Sequence, residues 1–241
     1  MKAIGNNEIK LIAMDFDGTL TRHKSKLDDV CRRVLDELAR RYDLLIVGAS
    51  SCEWIFDQTD GYPVDIIGYY GMRFSSVKDG KFTVKRECFA PIDTQSVIRR
   101  VNSLRAELGF TSYAGETVRF YTTGIISFPV LGTKATEEER LWFDPDRTKR
   151  RDVYGAVRDA FRDYTVFIGG ESSFDLVPRP YNKLHALNDY IETKKIEHSQ
   201  VVYFGDAYGE GENDEHIYKS DIRFICVNDA GEFPELAKKL L

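Results

Sequence analysis

Paired cysteines are missing from this sequence, which argues against a disulfide framework. The 241 residues contain four widely spaced cysteines and no CxxC pair. Cysteines in such a pattern are expected to be buried free thiols in a reducing cytoplasm. The four positions are Cys31, Cys52, Cys88 and Cys226.

Long apolar segments are missing as well. No run approaches the roughly 20 residues that a membrane-spanning helix needs. The first residues, MKAIGNNEIK, lack the apolar stretch and the small-residue cleavage site of a signal peptide. We therefore expect a cytoplasmic protein that does not associate with a membrane.

The sequence has no excess of positive charge. Its formal net charge is −5, which argues against non-specific binding to nucleic acid or to an anionic membrane. Hydrophobic residues make up 42% and charged residues 30% of the chain, the balance of an ordinary globular protein. The length suits one large domain or two smaller ones, with a full hydrophobic core.

Both ends of the chain alternate between strand and helix patterns. Continuous apolar runs such as LLIVGAS predict strands buried on both faces. The stretch LDDVCRRVLDELARRY predicts a helix, because Leu27, Val30, Val34 and Leu38 recur at helical spacing. Strand–helix alternation of this kind predicts an α/β fold, a Rossmann-like core with a parallel sheet.

The middle of the chain follows a different order: a helix, paired strands, a second helix and a second strand pair. This order predicts an α+β module inserted into the α/β domain. We place its edges near residues 89 and 181. The prediction is therefore a core domain of residues 1–88 and 182–241 and an inserted domain of residues 89–181.

Carboxylates follow two of the predicted strands. The first strand ends in DFDGTLT, with Asp15 and Asp17, and a later one runs into GDAYGEGENDEH, which begins at Gly205 and contains Asp206. Ligands of open parallel sheets bind at the carboxyl ends of the strands. If the two strands are neighbours, three carboxylates converge, and hard oxygen donors are the ligands that Mg²⁺ prefers.

Each of these residues also has a simpler interpretation. An aspartate after a strand is most often a turn or cap residue, and an acidic glycine-rich loop is most often solvated. Ser50, after LLIVGA, could merely cap the next helix, and Lys183 could be one more solvated lysine. The functional interpretation gains weight because all of them occur together, each at the end of a strand or the start of a helix.

This set of motifs resembles the haloacid dehalogenase superfamily of phosphotransferases. The first motif is DFDGTLT, the second ends at Ser50, the third is Lys183 at the start of a helix, and the fourth runs from Asp206 through Asp214. The inserted module is similar to the type IIB cap of that superfamily. The resemblance covers nearly the whole chain.

The stretches GGESSFDLVPRPYNK and GDAYGEGENDEHIY are similar to segments of the eukaryotic-type phosphomannomutases, GGQxSFDxFPxGWDK and GDKTxxGGNDxEI. That family holds a second phosphate with arginines in the cap. The matching positions here are Thr122, Thr133 and Arg140, and an arginine after the first motif corresponds to Lys24. Threonine cannot replace the bidentate charge of arginine, although Arg119 and Lys134 lie close by in the sequence and could compensate. Ser173 and Asp175 match contacts of the family to sugar hydroxyls, or form an exposed face of a cap strand.

The resemblance implies a role for each site residue. Asp15 is expected to be the nucleophile, and Asp17 the acid and base. Magnesium is expected to bind Asp15, the backbone carbonyl of Asp17 and Asp206. The remaining expected roles are phosphate binding by Ser50 and Lys183, support of the metal by Asn213 and Asp214, and substrate binding in the cap by Arg140, Ser173 and Asp175.

From these features we hypothesise a Mg²⁺-dependent phosphatase for a phosphorylated sugar or a similar small phosphomonoester. The alternative is a phosphomannomutase, which must hold a bisphosphorylated intermediate and so depends more on the missing arginines. A non-catalytic binding protein is a third hypothesis, and the intact Asp15, Asp17, Lys183 and Asp206 count against it. Mutases of the family pair through their caps, which implies that a homodimer could form.

Overall fold

The computed structural model describes residues 8–22 and 24–241, which form two compact units. The first unit runs up to Glu87 and also contains Lys183–Gly209 and Asp214–Leu241. The second unit contains Cys88–Asn182 together with the short segment Glu210–Asn213. Part of the acidic loop therefore groups with the second unit. Within the described residues, no helix combines the length and the apolar character needed to cross a bilayer.

The first unit is built on a mixed sheet. In the described part of this unit, seven strands pair in the order β11-β10-β1-β2-β3-β4-β5, parallel from β11 to β3 and antiparallel at β4 and β5. This confirms the predicted α/β class with a mainly parallel sheet. The strands, numbered in chain order, are β1 (Leu11–Met14), β2 (Asp43–Val47), β3 (Asp65–Gly68), β4 (Arg73–Lys78), β5 (Lys81–Glu87), β10 (Val201–Gly205) and β11 (Arg223–Cys226).

The apolar runs of the sequence form the centre of this sheet. Every residue of β1 is fully buried, with alternate side chains in two separate hydrophobic clusters. Ile12 and Met14 belong to one cluster, whereas Leu11 and Ala13 belong to the other. The sheet is therefore covered on both faces, as its continuous apolar strands predict. The helices of the unit are α1 (Asp29–Leu38), α2 (Cys52–Gln58), α6 (Lys183–Lys194), α7 (Glu215–Tyr218) and α8 (Phe233–Ala237).

Helix α1 differs in detail from the predicted apolar stripe. Val30, which the spacing includes in that stripe, is 47% exposed, and the buried face carries Cys31 and Leu35 beside Val34 and Leu38. The helix begins after Asp28, whose side chain accepts the backbone N–H of Cys31, so Leu27 lies outside it. Val30 lies in the first turn, beside the buried face rather than on it.

The second unit contains an antiparallel sheet with the strand order β6-β7-β9-β8 in its described residues. Its hydrophobic cluster combines apolar side chains of the strands with those of two helices, among them Val97, Val101 and Val157. The elements are α3 (Thr94–Glu107), β6 (Arg119–Phe120), β7 (Ile126–Pro129), α4 (Glu137–Phe143), α5 (Thr148–Ala160), β8 (Tyr164–Gly169) and β9 (Ser173–Pro178).

Candidate active site

Strands β1 and β10 are neighbours in the sheet, and this places two predicted site residues at one edge. The strands are parallel, with Met14 opposite Phe204. Asp15 follows β1 directly and its backbone N–H donates to the carbonyl of Phe204 at 2.9 Å, while Asp206 follows β10 directly. The carboxyl ends of both strands therefore present an aspartate at the same edge.

Asp214 joins these two residues in an acidic cluster. Side-chain oxygens of Asp15, Asp206 and Asp214 all lie within 4.8 Å of one another. Burial, with a contribution from neighbouring carboxylates, raises the pKa of Asp15 to about 7 and that of Asp214 to about 6. Burial and the charge of Asp214 also raise the pKa of Asp206.

Lys183, the first residue of α6, contacts two members of the cluster. Its fully buried Nζ donates to Oδ1 of Asp15 at 2.5 Å and to Oδ1 of Asp214 at 2.8 Å. Burial alone would lower the pKa of this amine, but the charges of Asp15 and Asp214 raise it above its usual value. Lys183 therefore remains an ammonium group, and the solvated interpretation of this lysine is wrong.

The residues of the cluster fit a magnesium ion. When ionised, the three carboxylates and the ammonium carry two more negative than positive charges, the charge of one divalent cation. Oxygen donors are what Mg²⁺ prefers. Gly18, with a φ of +92°, leaves room for Asp206, since a Cβ at this position would lie 2.5 Å from Asp206 Oδ2. Thr19 Oγ1 donates to Oδ1 of the same carboxylate at 3.1 Å.

Asp17 and Ser50 contact each other outside that acidic cluster. Ser50 Oγ donates to Asp17 Oδ2 at 3.4 Å, and the other carboxylate oxygen of Asp17 accepts the backbone N–H of Lys24 at 3.0 Å. Ser50 is not the cap of α2, because Ser51 accepts the backbone N–H of Trp54 in that role. The side chain of Ser50 is thus available for a function other than capping.

The second unit contains Arg140, in the last turn of α4. Its Nε donates to Oε2 of Glu171 at 3.2 Å, and its Nη1 donates to the carbonyl of Ala135 at 3.1 Å. The Glu171 side chain is 12% exposed, so this ion pair is partly shielded from water. Arg140 is the one arginine among the three cap positions compared above, and it is therefore paired with a carboxylate.

Ser173 and Asp175 lie two residues apart on β9, and both are half-buried. Ser173 Oγ donates to the carbonyl of Gly169 at 3.1 Å. The carboxylate of Asp175 lies against the same glycine, where a Cβ would be 2.4 Å from Asp175 Oδ2. Both predicted sugar-binding residues thus contact one position of β8, and their role in binding stays a prediction.

Asn213 lies in the segment Glu210–Asn213, which groups with the second unit, whereas Asp214 is in the first. Glu212 fixes that segment. Its Oε1 accepts Arg147 Nη1 and Arg151 Nη2, both at 2.8 Å. The expected support of a metal by Asn213 stays a prediction. Asp214 is itself a member of the acidic cluster and accepts Lys183 Nζ.

The sequence motifs did not predict four residues that contact charged side chains. These contacts are Thr19 with Asp206, Tyr203 with Asp214, Glu171 with Arg140, and Glu212 with Arg147. Tyr203 is the one residue of these four that the sequence could have indicated. It is a phenol in an otherwise apolar strand, and a buried tyrosine hydroxyl needs a hydrogen-bond partner. Glu171 and Glu212 stand where the resembled segments have glutamine and glycine.

Comparison with solved structures shows the fold. An N-terminally truncated IMP-nucleotidase from Plasmodium falciparum matches with a TM-score of 0.67 at 14% identity, over 97% of this chain and 70% of that one. A haloacid dehalogenase-like hydrolase from Bacteroides thetaiotaomicron matches with a TM-score of 0.58 at 14% identity, over 97% of this chain and all of the other (100%). These likenesses show that the chain shares the fold of both proteins.

Sequence comparison narrows the family. The phosphomannomutase of Encephalitozoon cuniculi is 25% identical over 94% of this chain and 91% of its own length. The phosphomannomutase of Drosophila melanogaster is 28% identical over 92% and 91%. The family model for the eukaryotic phosphomannomutases matches residues 31–232. The match spans most of the chain, which therefore belongs to the eukaryotic phosphomannomutase family.

Proposed function

We propose that the chain is a Mg²⁺-dependent phosphotransferase that moves a phosphoryl group between a phosphorylated sugar and Asp15. The observation that carries this proposal is the contact of Asp15 with the buried ammonium of Lys183 at 2.5 Å, beside two further carboxylates. A carboxylate held in one orientation next to a permanent positive charge suits attack on phosphorus.

Asp15 and Asp17 divide the chemistry between them. A carboxylate oxygen of Asp15 forms a bond to phosphorus while the bond from phosphorus to the sugar oxygen breaks. Asp17 donates a proton to the departing sugar oxygen and later takes one from the hydroxyl that accepts the phosphoryl group. That second attack releases Asp15 as a free carboxylate.

Ser50 and Lys183 bind the oxygens of the transferring group. Asp15, the backbone carbonyl of Asp17 and Asp206 would hold magnesium, with Asp214 in support. The ion, when bound, neutralises negative charge on the phosphoryl group. Lys183 supplies a further positive charge from the protein itself.

The acceptor of the second step distinguishes two candidate functions. Family membership favours a sugar as the acceptor, which would make the chain a phosphomannomutase or a closely similar hexose phosphate mutase. This is the first candidate. In it, the cap residues Arg140, Ser173 and Asp175 bind the sugar while its two ends exchange places.

Hydrolysis is the second candidate, and a specific observation favours it. Threonines stand at two of the three cap positions where the family has arginines, and Arg140 at the third is paired with Glu171. A second phosphate would be held weakly, because each arginine contact to phosphate contributes about 1.5–3 kcal/mol. Water would then reach the aspartyl-phosphate before a reoriented sugar does.

The test is ³¹P NMR of the products formed from mannose 1-phosphate in Mg²⁺ buffer, with and without added hexose 1,6-bisphosphate. Accumulation of the 6-phosphate, stimulated by the bisphosphate, would support the mutase. Free phosphate without stimulation would support hydrolysis. If neither forms from hexose, pentose or glycerol phosphates, the proposed phosphotransferase activity is wrong.

A further inference from the structure

Tyr203 extends the buried ionic contacts of the first unit by one hydrogen bond. Its hydroxyl donates to Oδ1 of Asp214 at 2.7 Å, and this same oxygen accepts Lys183 Nζ at 2.8 Å. Lys183 in turn contacts Asp15 at 2.5 Å. A continuous chain of polar contacts thus runs from a phenol on β10 to the proposed nucleophile.

Every member of this chain is shielded from water. Tyr203, Asp214 and Lys183 have no exposed surface, and Asp15 is 3% exposed. Hydrogen bonds in such surroundings are stronger than in water, and a group left unpaired there is costly. A change at one end of the chain should therefore affect the groups further along it.

The carboxylate of Asp214 is held from two sides. Oδ2 lies against Gly205, where a Cβ would be only 2.6 Å away, and against the backbone N–H of Ala207 at 3.4 Å. Oδ1 is held by Tyr203 and Lys183. The backbone thus limits the position of one oxygen, and the Tyr203 hydroxyl fixes the direction in which the other accepts Lys183.

The ring of Tyr203 has little freedom to move. Its strand position is opposite Ala13 of β1, and its ring packs against Phe224 with a centroid distance of 5.5 Å. A rigid ring presents its hydroxyl at a defined point, which is what the orientation of a neighbouring carboxylate requires.

We propose that Tyr203 is a positioning residue, which orients Asp214 so that Asp214 holds the ammonium of Lys183 against Asp15. The effect on catalysis rests on the proposed phosphotransferase function, whereas the effect on Lys183 does not. The simpler explanation is that Asp214 merely satisfies a buried hydroxyl.

Tyr62 provides a matched control for that simpler explanation. It is 3% exposed, and its hydroxyl donates to Oδ1 of Asp36 at 3.0 Å. Tyr62→Phe and Tyr203→Phe therefore remove the same type of hydrogen bond from two buried tyrosines of the same unit. If the role of Tyr203 is purely structural, the two variants should behave alike.

The first measurement uses the ¹⁵N-labelled protein and follows the buried ammonium resonance of Lys183, which is assigned with Lys183→Met. We expect Tyr203→Phe to shift or broaden this resonance, and Tyr62→Phe to leave it unchanged. An unchanged resonance in Tyr203→Phe would overturn the proposal, whatever the activity of the protein. This readout does not depend on the substrate.

The second measurement compares kcat and KM for the best phosphorylated sugar at saturating Mg²⁺. We expect Tyr203→Phe to lower kcat about tenfold and to leave KM and Mg²⁺ affinity within about twofold, as for residues that orient a reacting group. Tyr62→Phe should leave kcat within about twofold. An equal kcat for Tyr203→Phe and Tyr62→Phe would contradict a positioning role.

The two measurements also separate this inference from the proposed function. A wild-type protein without turnover, but with a shifted Lys183 resonance in Tyr203→Phe, would overturn the proposed function and retain the inference.

Discussion

Each unit of this protein contains a buried cation that is paired with a carboxylate, Lys183 in the first and Arg150 in the second, and the surroundings of these two cations differ. Arg150 in the second unit is 1% exposed and donates from Nε to Oδ2 of Asp144 at 2.8 Å. Its Nη1 donates to the carbonyls of Gly169, Gly170 and Ser173 at 2.7, 3.1 and 3.2 Å. One acid balances one base, and neutral carbonyls satisfy the remaining donors.

Lys183 in the first unit has no such balance. It lies among Asp15, Asp206 and Asp214, so that three carboxylates surround one ammonium group in the interior of the unit. Burial raises the pKa of Asp15 to about 7, which means that the ionised cluster costs free energy unless a cation is added. The difference teaches that burial of a cation does not by itself indicate a site, whereas an excess of one charge around it does.

Asp15→Asn should have the largest effect on activity. An amide cannot attack phosphorus as a carboxylate does, so we expect kcat to fall more than about a thousandfold, equivalent to ~4 kcal/mol in the activation free energy. The thermal midpoint in EDTA should rise or stay the same, because one negative charge leaves the cluster. Steady-state kinetics and thermal unfolding check the two results. Activity above a thousandth of the wild-type value would refute the assigned nucleophile.

An aspartate-to-asparagine change in the Arg150–Asp144 ion pair should have the opposite effect on stability. Asp144→Asn leaves Arg150 buried without its counter-charge, and breaking a buried ion pair in this way costs about 3–5 kcal/mol. Urea unfolding of Asp144→Asn and Asp15→Asn in EDTA measures the contrast directly. If both variants lose stability to the same extent, the distinction between the two buried cations does not hold.

Without a bound metal ion, the stability of the protein should depend on pH. The folded-state pKa values of Asp15 and Asp214, about 7 and about 6, lie above the ordinary carboxyl value of 3.8. The folded protein then binds protons more tightly than the unfolded chain. Stability in EDTA should therefore fall as pH rises from about 4 to about 7. Added Mg²⁺ should raise the thermal midpoint more at pH 7.5 than at pH 5. An equal increment at both values would argue against magnesium binding in this cluster.

The sequence predicts the central part of the first unit well. The apolar runs correspond to β1, β2, β3, β10 and β11, because strands buried on both faces need a continuous apolar pattern. The structure adds β4 and β5, whose sequences RFSSVK and KFTVKRE are largely polar and give little periodic signal. Helix α4, which has only seven residues, is not predicted either.

The candidate site was predictable where chain position alone determines proximity. Asp15 and Asp206 each follow a strand, so adjacency of β1 and β10 brings them together. The partners of Tyr203 and Glu171 could not be predicted, because Asp214 and Arg140 reach them only through the packing of loops and helices. The excess of negative charge around Lys183 is likewise a property of the folded chain.

The smallest expected effect concerns Glu171, which pairs with Arg140 in the second unit. Glu171→Gln removes the carboxylate and keeps the shape of the side chain, so that Arg140 is released to bind phosphate. Because Arg140 is 32% exposed, the pair contributes no more than about 1 kcal/mol. We therefore expect hexose 1,6-bisphosphate to bind about threefold to fivefold more tightly, as measured by calorimetry in the Asp15→Asn background.

Asp163→Asn is the matched control for this change. Asp163 accepts Arg100 Nη2 at 2.6 Å in the same unit, so its substitution removes one negative charge and releases one arginine elsewhere. General electrostatics would tighten bisphosphate binding equally in both variants, whereas a specific role of Arg140 predicts the gain for Glu171→Gln alone. In the active protein, Glu171→Gln should then raise the ratio of isomer to free phosphate in the ³¹P spectrum. An unchanged ratio despite tighter binding would mean that Thr122 and Thr133, rather than Glu171, limit transfer back to the sugar.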